Sequence, residues 1–141
     1  MSILLWHNED VGFNRDKYPW VDKHLGMYGW SSLLVDLKGN MSHCDWAFPS
    51  LRVAIADPRV AGKNLIWLDP RGDIRLNHFA HPKTDAVYIL GSDVHGFGDL
   101  NFDEQRGPHV RLPHGHEGEW PAVLLVPILC YDRFLFMGGM G

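Results

Sequence analysis

The densest group of side chains able to do chemistry follows an apolar run. In "HPKTDAVYILGSDVHGFGDL", from His81 to Leu100, the strand-like stretch Ala86 to Gly91 passes directly into Ser92, Asp93, His95, Gly96 and Gly98. Glycines placed there let the backbone approach a ligand and turn unpaired N–H and C=O groups toward it, as the edge of an adenine ring would require. An ordinary turn that needs positive φ would use the same residues, and Asp93 beside His95 also reads as a hydrogen-bonded loop pair. A second polar group is "HGHEGE", His114 to Glu119. With a distant third ligand such as His81 or His95, His114 and His116 could bind zinc or a similar ion. The nine histidines therefore keep a small metal-dependent hydrolase open, although the chain has neither an HExxH motif nor a CxxC pair.

Both groups need elements to position them. Ser2 to Trp6 reads as a short strand, and "YPWVDKHLGMYGW" spaces Trp20, Val21, Leu25 and Tyr28 as a helix closed by Gly26 and Gly29. "SSLLVDLKG" is a second strand. A helix is predicted from Phe48, with Pro49 near its start, Ser50 as cap, and Asp57 held extended by Pro58. "NLIWLD", "DAVYILG" and "HVRLP" supply three more strands. "WPAVLLVPILCYDRFLFM" reads as a last helix, with Pro121 in its first turn and an interior Pro127 that predicts a kink or break. Strands that are continuous apolar runs and alternate with helices indicate a mostly parallel α/β sheet covered on both faces. In such sheets ligands gather beyond the carboxyl ends of the strands, where the loops after Gly91 and Pro113 leave.

Composition bounds the rest. The 141 residues, 45% hydrophobic and 21% charged, suit one domain spanning 1–141. The net charge of −4 gives no overall pull toward nucleic acid or anionic lipid, so such binding would need a local basic face drawn from Arg52, Arg59, Lys63, Arg71, Arg75 and Lys83. Cys44 and Cys130 form no framework and read as small buried residues in a reducing cytoplasm. The apolar run at the N-terminus is too short for a signal peptide, and the longest run, broken by two prolines, is too short to span a bilayer, so no membrane association is expected. Trp6, Trp20, Trp30 and Trp46 are expected in core or dimer packing rather than as base-stacking platforms.

Beyond pattern, "HPKTDAVYILGSDVHGF", preceded by "NLIWLDPRGDIRLNHFA" and followed by "HVRLPHGHEGEWPAVLLVPILCYDR", resembles the SPOUT superfamily of RNA methyltransferases, in its SpoU/TrmH-like ribose 2′-O branch. In that branch a strand ends in Gly-x-Glu-x-x-Gly, a later strand ends in an Ile/Leu-Pro turn, and the final helix has an aliphatic body that often closes in Tyr-Asp-Arg, here Tyr131, Asp132 and Arg133. The likeness covers about the last 80 residues and is poor between Ser2 and Ala47. It implies a parallel sheet whose C-terminal segment threads a loop to form a deep trefoil knot, an S-adenosylmethionine pocket built by that knot, and a homodimer packed across it. Position by position, Leu90 and Gly91 would close the strand over the adenosine, and Gly96 would match the second motif glycine. Leu112, Pro113 and His114 would offer backbone groups to the adenine, and Val123 and Leu124 would wall the pocket.

Departures from the family pattern bear on catalysis. Asp93 replaces the motif glutamate. Glu119 and Pro121 stand where the family has Ser and Asn, and the early Asn-x-Gly motif with its arginine is approximated only by Asp10, Gly12 and Arg15. Arg15, Asp93 and Glu119 are the candidate catalytic residues that the resemblance leaves. Methyl transfer needs the attacking oxygen in line with the methyl carbon and a group to take its proton; His114 or His116, oriented by Glu117 or Glu119, could supply the latter. The expected function is S-adenosylmethionine-dependent ribose 2′-O-methylation of RNA, most plainly tRNA. A diverged SPOUT-like protein that binds or regulates without methyl transfer is the alternative.

Overall fold

The computed structural model of the protein describes residues 2–7, 18–36, 45–91, 96–111 and 125–138. Its strands are β1 (Ile3–His7), β2 (Ser31–Val35), β3 (Ala47–Phe48), β4 (Asn64–Leu68), β5 (Ile74–Arg75), β6 (Ala86–Leu90) and β7 (His109–Arg111). Its helices are α1 (Tyr18–Met27), α2 (Leu51–Ala56) and α3 (Val126–Phe136). The strands form one seven-stranded sheet in the order β3-β2-β1-β6-β4-β7-β5, and every pairing is parallel.

Strand alternation sorts the apolar residues onto two faces. Leu4, Trp6, Leu34, Ile66, Tyr88, Leu90 and Val110 face α1 and α3, meeting Val21, Leu25, Val126, Leu129 and Cys130. Leu5, Leu33, Val35, Trp67, Val87 and Ile89 face α2 and the chain around Leu100. β6 is buried at all five positions, as a central strand covered on both sides must be.

Local signals explain most element ends. The Ser50 side chain accepts the Val53 N–H at 3.1 Å, capping α2, and Asp57 ends that helix in an extended conformation before Pro58. α1 runs through Gly26, and the chain turns at Gly29, where φ is +75°. α3 is described from Val126, so Pro127 occupies its first turn, where a missing N–H costs no helical hydrogen bond; whether a helix precedes it lies outside the described residues. β3 and β5 lie in stretches that the sequence does not mark as strands. The expectation for Pro121 falls outside the described residues, as does any threading of the segment before α3.

Candidate functional site at the carboxyl edge

The central strands create the site. The chain leaves β1 for α1 on one face, while beyond β6 it reaches Phe97 and Leu100 on the other. Neighbouring strands whose connections depart to opposite faces leave a crevice at their carboxyl ends. His7, the last residue of β1 and only 3% exposed, spans this point: its Nδ1 lies 3.1 Å from the Leu90 carbonyl oxygen. A carbonyl can only accept, so His7 Nδ1 carries the proton and fixes the last peptide of β6.

Gly91 follows. A Cβ placed on Gly91 would stand 3.2 Å from the Gly96 carbonyl oxygen and 3.3 Å from its carbonyl carbon, and Gly96 itself has φ +58°. The loop thus leaves and returns through a neck of two glycines, each required for a different reason: close approach at Gly91 and left-handed backbone at Gly96. This places Leu90, Gly91 and Gly96 together, in a neck that a tight turn and a ligand cradle would both use.

Next to β6, Leu68 of β4 pairs in register with Leu90, and Leu68 pairs in turn with Val110 of β7. Leu90, Leu68 and Val110 therefore form a row across three strands, with Gly91, Asp69 and Arg111 one residue beyond. Two strand spacings, about 10 Å, separate the exits of β6 and β7, a span suited to a nucleoside. The turn after β4 is locked by the Asp69 N–H to Val110 oxygen bond (2.9 Å), by Arg71 N–H on Asp69 Oδ1 (2.9 Å), and by the His109–Asp69 pair at 3.1 Å. Gly72 completes it, since a Cβ there would lie 2.6 Å from the His109 carbonyl oxygen.

Below this edge lies a polar cluster not anticipated from the sequence. The buried His81 places Nδ1 2.6 Å from Tyr88 Oη and Nε2 2.7 Å from Asp132 Oδ2. Arg133 donates from Nη1 to Tyr88 Oη at 2.9 Å and to the Pro82 carbonyl at 2.6 Å. Burial pushes the Tyr88 hydroxyl up to about 12 and the Cys130 thiol likewise to about 12. His81 is held below its ordinary value, first by burial and then by Arg133, against the opposing pull of Asp132. With both ring nitrogens engaged, His81 is not the open metal ligand the sequence left possible. Among the described residues no group of three His, Cys, Asp or Glu side chains could hold a metal.

The remaining sequence candidates divide cleanly. Arg15, Asp93, Glu119, Leu112, Pro113, His114, Val123 and Leu124 lie outside the described residues, as do His95, His116 and Cys44. Of the basic residues offered as a nucleic-acid face, Arg52 is paired with Glu104 and Asp99, Arg59 with Asp57, and Lys63 with Asp85. Trp6 is fully buried and Trp30 stacks on Tyr88 at 4.9 Å, as core packing requires, whereas Trp20 is 47% exposed. No described helix is long and apolar enough to cross a membrane.

No family model matches the sequence, and comparison with curated proteins finds no match. Solved structures do match. A protein studied for 2-OH methylation of C/U34 on tRNA aligns with a TM-score of 0.70 at 17% identity, over 98% of this chain and 97% of its own. The A. aeolicus TrmH/SpoU tRNA modifying enzyme aligns at 0.67 and 11% identity, covering 93% and 72%. The SpoU methyltransferase AviRb from Streptomyces viridochromogenes, solved with AdoMet, aligns at 0.65 and 15% identity, covering 98% and 61%. Taken with the parallel sheet and the two-glycine neck, these likenesses establish that the chain has the fold of the TrmH/SpoU RNA methyltransferases.

Proposed function

We propose that the protein binds S-adenosylmethionine at the carboxyl edge of β6, β4 and β7 and transfers its methyl group to a ribose 2′-hydroxyl of RNA, with tRNA as the favoured substrate. The observation that carries this reading is the Leu90–Leu68–Val110 row, which sets the Gly91–Gly96 neck about two strand spacings from the exit of β7. The residues fit the cofactor: Gly91 and Gly96 bring no side chain to this edge, so backbone alone borders the place an adenosine would take beside the apolar strand ends Leu90, Leu68 and Val110. Proteins of this fold that act on tRNA and that bind AdoMet support the substrate and the cofactor.

In this reading Leu90, Gly91 and Gly96 bound the adenosine from β6. Leu112, Pro113 and His114 present backbone groups to it, and Val123 and Leu124 close the pocket ahead of α3, in a segment threaded as a trefoil knot. Bound S-adenosylmethionine supplies an electrophilic methyl group. Arg15 binds the substrate phosphate or activates the ribose hydroxyl, Asp93 holds the loop in place of the family glutamate, and Glu119 stands near the transfer point. The protein acts as a homodimer in the cytoplasm, packed through the knot region; the exposed apolar Tyr131 and Leu135 of α3, with Trp20 and Met27 of α1, support a covered face there.

Incubation with unmodified tRNA and S-adenosylmethionine labelled in the methyl group, followed by nucleoside analysis, tests the proposal. Label in a 2′-O-methylnucleoside is expected. Cofactor binding without transfer to any RNA would instead establish the non-catalytic alternative.

A further inference from the structure

The buried cluster beneath the site has a defined direction. Arg133 can only donate, so Tyr88 Oη accepts from it at 2.9 Å, and the hydroxyl proton of Tyr88 is left for His81 Nδ1 at 2.6 Å. His81 Nε2 then carries the ring's single proton and donates it to Asp132 Oδ2 at 2.7 Å. Along the chain Arg133 to Tyr88 to His81 to Asp132 each contact then pairs one proton with one acceptor, an arrangement that uses neutral His81. A second proton on Nδ1 would meet the Tyr88 hydroxyl proton head-on. That proton would have to turn away from His81 at a buried Tyr88 whose ring is stacked on Trp30, and a buried donor that loses its acceptor is costly.

The chain ties separate parts of the molecule together. Asp132 and Arg133 belong to α3, Tyr88 to β6, and His81 to the segment that leads into β6, whose Pro82 carbonyl also accepts from Arg133. Two residues beyond Tyr88 is Leu90, whose carbonyl is held by His7. The docking of α3 and the alignment of the strand that delivers Gly91 therefore share one set of hydrogen bonds.

We propose that His81 is a positioning residue whose neutral form locks α3 onto β6, so that protonation of its Nδ1 releases the helix and weakens cofactor binding at the Gly91 edge. The coupling rests on the cofactor site proposed above. The titratable and charged groups around His81 are Tyr88 from β6, Asp132, Arg133 and Cys130 from α3, and the exposed His78 and Lys83 on its flanks. α1 contributes His24 and Tyr28, the latter edge-on to Phe134 of α3. His24 is a second imidazole near α3, so the test must isolate His81.

Nitrogen NMR of the imidazoles, amide exchange along α3, and titration with S-adenosylhomocysteine would be followed from pH 8 to pH 5 in the wild type and in His81→Gln. Glutamine offers Tyr88 an acceptor and Asp132 a donor but cannot be protonated. The wild type is expected to show the Nε2–H tautomer, to titrate at His81 below the ordinary histidine value, and to lose α3 protection over the same range. Affinity should fall by up to about tenfold per pH unit there, the limit for one linked proton, and His81→Gln should be flat. An Nδ1–H tautomer, a raised His81 titration, or the same pH dependence in His81→Gln would overturn the proposal. Absence of ligand binding at pH 8 would instead remove the cofactor site, while tautomer and α3 exchange still decide whether His81 is the lock.

Discussion

Gly91 is where a single atom decides the most. Replacing it with alanine puts a Cβ 3.2 Å from the Gly96 carbonyl oxygen, so the neck must open or the strand end must shift. We expect Gly91→Ala to cost about 1–3 kcal/mol of stability, read by chemical denaturation, and to lower cofactor affinity by more than tenfold. Cys130 makes a contrasting case. Fully buried, with its thiol pushed up to about 12, it should stay unreactive toward a thiol reagent until the protein unfolds. His81 sets a pH dependence whose sign follows from its lowered native value: the unfolded chain binds the proton more tightly, so stability is full above the ordinary value of 6.5 and declines as pH falls from there toward the native value. Thermal melts from pH 8 to pH 5 should show this decline, reduced in His81→Gln.

α3 is the element most dependent on named polar contacts. Removing the Arg133 side chain leaves the Pro82 carbonyl without its donor and takes the hydrogen bond to Tyr88, so Arg133→Ala should destabilise by about 3 kcal/mol, measured by urea unfolding. The sequence announces some elements and conceals others. Ser50 before an apolar run and Asp57 before Pro58 bracket α2 because cap and proline chemistry act within a few residues. β3 and β5, two residues each, leave no period to read and exist only because neighbouring strands offer hydrogen bonds. Pro127 stands in the first turn of α3, a place that the continuous apolar run around it does not mark.

For the whole molecule, continuous apolar runs were enough to indicate a parallel sheet with two covered faces, because a strand buried on both sides cannot alternate. The glycine pair at the mouth of β6 was legible for the same kind of reason: few residues besides glycine fit such a neck. His7 and the His81 cluster were not legible, since their partners lie 83 and 51 residues away and only strand order brings them together. The exposed apolar groups on α1 and α3 predict self-association, so sedimentation should report twice the chain mass. Replacing Tyr131 and Leu135 with aspartate should shift that toward monomer.

At the centre stands the claim that the ends of β6, β4 and β7 enclose one adenosine-sized pocket whose entrance is the Gly91–Gly96 neck. Calorimetric titration of the wild type and of a folded Gly91→Val variant with S-adenosylhomocysteine tests it most directly. One ligand per chain in the wild type, with binding abolished or greatly weakened in the variant, is the predicted result. A wild type that binds nothing, or a variant that binds equally well, would contradict it.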